Sequence, residues 1–371
     1  MPTISIPALG LHLQADLDDN LLKVLRRSEV PIHYSCKQGE CGSCKCVLES
    51  GTVDLRGYKD TALPEAQRAQ GLILACCSRI QGDVQLGLVD SDDYIVHPER
   101  YLVTTVTGLT ELAPEVFSLR LKIRYVDREG EPFIFSAGQY AQLTAQTGPE
   151  STIARDFSMA STPVEAEYDD ELEFHIRRTP TGAFSGLLGR EIVVGSTVFV
   201  DGPMGSSHFR PRHLGALIAV AAGTGLAPML SIVRTALDNG KFEPVVLYAG
   251  FKTAQEVYGR DALADLARRF ANFRFHIVVE QDAPAGDRSG LVGDALLGDG
   301  HSLDGAKVYL AGSPAMVEAV SAALIERGLP HGDVHADAFY APRAIDETEA
   351  RRASATGADR ASAPSRPRTA V

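Results

Sequence analysis

No run of this 371-residue chain reaches the roughly 18 consecutive apolar residues that a membrane-spanning helix requires. Its opening, MPTISIPALGLHLQADLDDN, lacks the basic-then-apolar layout of a secretory signal. A cytoplasmic protein with no membrane partner is therefore expected. Positive charge is scarce as well: 36 Lys and Arg stand against 48 Asp and Glu, a formal net charge of -12. General nucleic-acid binders need Lys and Arg for phosphate contacts, so no nucleic-acid partner is expected. Cysteine is absent after Cys77, although the chain holds six. Thiols confined to one end make a poor disulfide framework and point instead to one metal-bearing module. The remainder is ordinary for a soluble protein, with 44% hydrophobic and 23% charged residues and a length suited to two or three domains.

The cysteines that are present carry a pattern. Cys36, Cys41 and Cys44 form a C-x4-C-x2-C run within CKQGECGSC. That is the plant-type spacing for a 2Fe-2S cluster, completed by a fourth thiolate downstream. The fourth comes from LACCSR, where spacing alone leaves Cys76 and Cys77 open. Gly39 and Gly42 let the loop curl so that amide N–H groups aim at the sulfurs and tune the potential. Structural zinc sites usually pair two C-x2-C units, and only one is present here. Cys46 reads as a small core residue. A 2Fe-2S cluster moves single electrons and makes no bonds, so it implies a relay whose source lies elsewhere in the chain.

Residues 1-90 read as a small α+β module. It has strands in TISIPALG and LHLQADL, a helix in NLLKVLRRSEV capped at Asp19 or Asn20, the cysteine loop, and strands in CKCVLESG and DVQLGLV. Residues 91-98, acidic and then Pro, read as a linker. Over 99-207, dense strand patterns such as VFSLRLKIRYV and ELEFHIRRT suggest an antiparallel barrel. Over 208-342, apolar strands such as LIAVAA and AKVYLAGS alternate with helix-like segments such as DALADLARRF, which implies a parallel α/β sheet. From 343 to 371 no periodicity remains, and a disordered tail is expected. Within the α/β region, Gly223-Thr224-Gly225-Leu226-Ala227-Pro228 follows a strand and opens a helix. Two glycines there allow close approach to a pyrophosphate, and Pro228 suits a first helical turn. Pro in place of the last Gly means that this is not the G-x-G-x-x-G fingerprint.

The tetrapeptide Arg155-Asp156-Phe157-Ser158 resembles the R-x-[YF]-S motif of the ferredoxin–NADP reductase superfamily. By that resemblance Arg155 pairs with an FAD phosphate, Phe157 packs on the flavin ring, and Ser158 hydrogen-bonds near its reactive nitrogen. His175-Ile176-Arg177 and then Thr181-Gly182-Ala183-Phe184-Ser185 resemble the second flavin segment. There backbone groups hold the ring, and Gly182 and Ser185 make a turn at a helix start that takes the pyrophosphate. His175 is read as structural. Ala311-Gly312-Ser313-Pro314-Ala315-Met316 resembles the C-G-x-x-x-M segment beside the nicotinamide, with Ala311 where the family usually has Cys. Slower hydride transfer with retained binding is expected from that change.

Together the motifs resemble the reductase components of aromatic-ring-hydroxylating dioxygenases, the naphthalene dioxygenase ferredoxin reductases above all. The likeness runs over about residues 3 to 341. It implies a β-grasp 2Fe-2S ferredoxin domain, a β-barrel FAD domain and an α/β NAD(P)-binding domain, and it favours Cys76 as the fourth iron ligand, which leaves Cys77 as a core residue. Electrons would pass from NADH, with NADPH tolerated, through FAD and the cluster to a ferredoxin or the oxygenase component. No acid–base residue is implied, because the cofactors do the chemistry. Phe339 or Tyr340, in HADAFYA, is a candidate cover for the flavin face. Lys252 and Arg260 lie where contacts to an NADPH ribose phosphate could fall. Rival readings are a bare electron carrier and reductases of a multicomponent monooxygenase or a deoxysugar dehydrase system. A flavohaemoglobin-like oxidase lacks its globin segment here.

Overall fold

Strand-forming segments open each of the three regions and sort into three separate sheets. The computed structural model describes residues 1–89, 94–127, 131–148, 151–179 and 182–341. Part of the expected linker, Thr181 and the expected tail at 343-371 lie outside the described residues.

In the first region β1 (Thr3–Ile6) pairs antiparallel with β2 (Leu11–Gln14). Helix α1 (Leu21–Arg27) follows, its N-terminus capped by Asn20, whose side chain accepts from the Lys23 amide at 3.0 Å. Leu21, Leu22, Val24 and Leu25 form its buried stripe. Next come β3 (Lys45–Leu55), a one-turn helix α2 (Glu65–Arg68) in a stretch expected to hold only turns, β4 (Leu72–Leu74) and β5 (Ser78–Leu88). The strand order is β2-β1-β5-β3-β4, with β1 and β5 parallel, and α1 covers the inner face.

The second region holds β6 (Arg100–Ala113), β7 (Val116–Val126), β8 (Tyr140–Gly148), β9 (Ser151–Ser158), β10 (Glu171–Arg177) and β11 (Thr197–Met204). Their order is β10-β7-β6-β11-β8-β9, and every pairing within it is antiparallel. A bridge from Met159 to Phe174 joins the two edges and closes the barrel, which removes exposed edges. Helix α3 (Pro163–Asp169) links β9 to β10 and starts with a capping box of Thr162 and Glu165.

The third region holds β12 (Leu217–Ala222), α4 (Leu226–Asp238), β13 (Val245–Thr253), α5 (Arg260–Arg269), β14 (Phe273–Gln281), β15 (Arg288–Ser289), α6 (Val292–Gly298), β16 (Lys307–Gly312), α7 (Pro314–Glu326) and β17 (Val334–Ala338). All six strands are parallel, in the order β15-β14-β13-β12-β16-β17. The chain runs outward from β12 in both directions, so a crevice opens at the C-terminal ends of β12 and β16. The last strand, β17, was not apparent in HADAFYA.

Three hydrophobic cores result, all within one compact unit, Met1–Phe339. The N-terminal core takes in Tyr140 and Met204 of the barrel, and the α/β core takes in Ala113, Val116, Ala137 and Phe209. Apolar packing is therefore continuous from sheet to sheet. Among the described residues no helix is long and apolar enough to cross a membrane.

Candidate functional site

The loop between α1 and β3 gathers the predicted thiols. Gly39 and Gly42 take left-handed backbone angles. A Cβ on Gly39 would sit 2.5 Å from Cys77 Sγ and 2.9 Å from the Tyr58 backbone, and one on Gly42 would sit 2.7 Å from the Ala62 carbonyl. The curled loop points the amides of Gln38, Glu40 and Cys41 at Cys36 Sγ, at 3.5, 3.4 and 3.4 Å. The Cys41 thiol, which also hydrogen-bonds to Cys36, is the largest cause that pulls the Cys36 thiol down to about 6; the amides add to it against burial. Cys41 is pushed up by that same bond and by burial.

Cys76 is aligned with Cys44: its amide donates to Cys44 Sγ at 3.5 Å, and its thiol hydrogen-bonds with Cys44 and Cys77, which with burial raises it strongly. The four predicted ligands thus stand as two pairs, Cys36 with Cys41 and Cys44 with Cys76. Among the described residues no three His, Cys, Asp or Glu groups converge as the ligand set of a single ion would. Two thiol pairs suit a two-iron cluster better than one zinc. Cys77 packs under Gly39 with Sγ 3.6 Å from that of Cys76. Cys46 is buried away from solvent, and burial raises its thiol strongly, as befits a core residue.

The flavin motif ends β9. Strand alternation puts Arg155 and Phe157 on one face and Asp156 and Ser158 on the other. Arg155 bonds only to its neighbour's carbonyl, Ala154 O at 2.7 Å, and no ion pair of it occurs among the described residues. Its guanidinium is therefore available to a phosphate. Phe157 tilts against Phe184 with ring centroids 5.3 Å apart. On β10, His175 is buried, with Nε2 3.3 Å from Glu173 and its ring edge-on to Tyr258; its Nδ1 has no partner among the described residues. Beside it Ile176 is buried in the barrel core. Arg177 donates to Glu256 at 2.9 Å and lies 3.8 Å from where a Cβ on Gly223 would sit. Gly182 is crowded between Thr179 and Ser185, whose Oγ accepts from the Thr179 amide at 3.2 Å. The expected helix start there is one short 3-10 helix, Ser185–Leu187, entered by the Gly186 amide donating to Gly182 O at 2.8 Å and closed by the Leu187 amide on Phe184 O at 3.0 Å. An uncommitted Arg and an orphaned imidazole nitrogen beside a crowded Gly turn fit a bound FAD.

The nucleotide turns lie at the crevice. Gly223 is left-handed, Gly225 abuts β16, and Thr224 lies between them, half-buried. Pro228 is buried in the first turn of α4. A Cβ on Gly225 would lie 2.1 Å from the Ala311 carbonyl, and one on Gly312 would lie 2.8 Å from Ala222 Cβ. The ends of β12 and β16 therefore touch through glycine alone, which suits a pyrophosphate and nicotinamide laid across them. Ala311 is wholly buried. Met316 caps its amide on Ser313 Oγ at 3.4 Å, and the Phe339 amide donates to Gly312 O at 2.8 Å. Among the described residues no ring contact joins Phe339 to Phe157. Arg260 is held by both oxygens of Asp287 at 2.8 and 2.6 Å, whereas Lys252 is exposed at the end of β13.

Sequence reasoning missed the residue that joins these parts. Asp337, buried on β17, accepts from Ser158 Oγ at 2.8 Å and from Ser35 Oγ at 3.3 Å. One carboxylate thus touches the flavin motif and the residue before Cys36. Burial raises it to about 6, against the pull of both hydroxyls. A folded pKa above the unfolded 3.8 means that the native state holds a proton which the unfolded chain releases. This contribution to stability is therefore largest below about pH 4 and is lost as pH rises to about 6, by roughly 3 kcal/mol in all. An Asp337→Asn variant lacks this loss. Urea midpoints from pH 5 to pH 7.5 should move in its favour over wild type by about half that amount. Parallel curves would contradict the assignment.

Residues 8–81 match the 2Fe-2S iron-sulfur cluster binding domain, residues 104–209 the oxidoreductase FAD-binding domain, and residues 219–322 the oxidoreductase NAD-binding domain. The chain is 40% identical over 336 residues, covering 90% of it and 98% of the relative, to the ferredoxin–NAD(P)+ reductase component of the naphthalene 1,2-dioxygenase/salicylate 5-hydroxylase systems of a Ralstonia species. It is 36% identical to the corresponding component from Pseudomonas putida, over 86% of this chain and 93% of that one. Among solved structures, an Amycolatopsis cytochrome P450 reductase matches with a TM-score of 0.77 at 33% identity, over 91% of this chain and 99% of that one. The ferredoxin reductase in carbazole 1,9a-dioxygenase gives a TM-score of 0.67 at 26% identity, over 91% and 98%. With likeness running nearly end to end, and the three cofactor folds in the same order, the chain belongs to the family of NAD(P)-dependent iron-sulfur flavoprotein reductase components that serve oxygenase systems.

Proposed function

We propose that this chain draws electron pairs from NADH and hands them on singly, as the reductase component of an aromatic-ring-hydroxylating dioxygenase system. Its acceptor is a ferredoxin or the oxygenase component itself. The observation that carries this reading is the junction at Asp337, where the cluster loop, the flavin motif and the last strand of the α/β sheet share one carboxylate. Bound FAD supplies the conversion of a two-electron hydride into single electrons, and the cluster carries them one at a time.

The residues of this chain bind and orient. Arg155 would hold a flavin phosphate; Phe157, backed by Phe184, would support the ring system; Ser158, whose hydroxyl donates to Asp337, would border the ring. His175, Ile176, Arg177, Gly182 and Ser185 line the remainder of the flavin site. Gly223, Thr224, Gly225 and Pro228 would receive the nicotinamide dinucleotide pyrophosphate, with Gly312 and Met316 beside the nicotinamide and Phe339 as the cover of the flavin face. Cys36, Cys41, Cys44 and Cys76 hold the iron. Of the two candidate cations, Arg260 is locked onto Asp287 and Lys252 remains for a ribose phosphate, which supports NADH over NADPH. A second reading shares this whole path and changes only the acceptor, to a monooxygenase or haem enzyme. It is favoured by the Amycolatopsis P450 reductase and by an aromatic O-demethylase reductase subunit at 33% identity.

Anaerobic addition of NADH to the purified protein should bleach both flavin and iron-sulfur absorption, and kcat/KM should favour NADH over NADPH by about tenfold or more. Flavin bleaching without any iron-sulfur band would end the relay reading, and a ratio favouring NADPH would reverse the donor assignment.

A further inference from the structure

We propose that Lys37 and Asp156 form a clamp that sets the approach of the cluster loop to the flavin site, which makes Lys37 a positioning residue for the electron step between them. The inference rests on the relay reading above. Lys37 directly follows Cys36 and has a φ of 58°, a backbone conformation that non-glycine residues hold only when their surroundings demand it. Its Nζ lies 2.6 Å from Asp156 Oδ2 and 3.5 Å from Met204 Sδ, above the Tyr140 ring at 5.1 Å from its centroid. All three partners belong to the barrel.

Asp156 is the variable position of the flavin motif, to which no role has been given. Alternation along β9 turns it away from the face that carries Arg155 and Phe157. Gln142 Nε2 donates to its second oxygen at 3.1 Å and fixes its orientation. The segment before Cys36 is stitched to the barrel as well. Ser206 and Tyr34 share three hydrogen bonds, at 3.0, 3.0 and 3.1 Å, and Tyr140 donates its hydroxyl to Ser35 O at 2.8 Å. By contrast, the distal part of the ligand loop bonds within its own module, through Lys59 to Glu40 and to Gly39 O. Cys36 is thus the ligand bracketed by contacts to the flavin-bearing barrel, and Lys37 is the charged member of the bracket. With side chains 21% and 36% exposed, the ion pair adds little stability. Its consequence is geometric.

Each electron that crosses oxidises the flavin by one and reduces the cluster by one, and no bond forms or breaks. The acceptor empties the cluster before the second electron follows. Such a step depends steeply on separation, whereas hydride uptake at the nucleotide crevice does not involve the clamp. Lys37→Glu in the full-length holoprotein would set two carboxylates face to face, and adding Asp156→Lys would restore opposite charges.

For Lys37→Glu, NADH-driven reduction of cytochrome c, which draws on the cluster, should fall at least about tenfold. Reduction of ferricyanide, which the flavin can serve directly, should stay within about twofold. Amide exchange in peptides covering residues 34–37 and 204–207 should quicken. The charge-swapped double variant should recover most of all three. An unchanged ratio of the two activities with unchanged exchange, or a double variant no better than the single, would overturn the clamp. Failure of the relay reading would look different: wild-type protein would itself fail to reduce ferricyanide with NADH.

Discussion

A Cys76→Ala variant keeps its flavin and loses its cluster. Iron and acid-labile sulfide fall toward zero, and NADH-driven cytochrome c reduction drops at least about a hundredfold. Ferricyanide reduction remains within about twofold. The reason is the pairing of thiols. Cys76 alone among the two neighbours is aligned with Cys44, through its amide at 3.5 Å and through its thiol. Removing it leaves one iron with a single protein sulfur, and three thiolates do not hold this kind of cluster. Cys77→Ser is the matched control. Its sulfur packs beneath Gly39, 3.6 Å from that of Cys76, and reaches toward the Gly57 carbonyl at 4.0 Å. That variant should keep full iron and at least half of its cytochrome c activity. A complete cluster in Cys76→Ala, or its loss in Cys77→Ser, would exchange the two assignments.

Gly225→Ala should disable the donor side and spare the acceptor side. The added methyl would lie 2.1 Å from the Ala311 carbonyl and 3.0 Å from the Gly312 amide. Both are backbone atoms at the end of β16, so no side-chain rotation can relieve the clash. The turn must open, and the nicotinamide with its pyrophosphate loses the surface on which it lies. NADH-driven flavin reduction is expected to fall about a hundredfold or more, while FAD and iron contents hold and dithionite still reduces the cluster. Gly298→Ala supplies the contrast: its Cβ would meet nothing within 4 Å, and it takes no left-handed angle. That variant should behave as wild type. A Gly225→Ala protein with normal NADH kinetics would remove the turn from the donor site.

Much of the fold was legible because its signals are short in range. LIAVAA announces a strand buried on both faces, and the GTG that follows announces the turn at its end. Asn20 before a Leu-rich stripe announces α1 and its cap. The one-turn helix α2 and the strand β17 escaped notice. Four residues are too few to display helical periodicity, and Val334–Ala338 buries an imidazole, a carboxylate and one small residue, Ala338, where an apolar strand pattern would be sought.

Short-range spacing carries the chemistry of each part: a thiolate loop of plant-type spacing, an Arg and an aromatic at flavin-motif spacing, and a glycine turn between a strand and a helix. Each depends on residues a few positions apart, whose spacing dictates what they can jointly hold. The tertiary structure alone decided how the parts meet. It aligned Cys76 rather than its neighbour with Cys44, and it brought Ser35 to Asp337 across 302 positions of sequence. It also set Lys37 against Asp156. Contacts of that kind leave no periodic trace, because they arise only when three separately folded sheets bury surface against one another and must satisfy the polar groups trapped between them.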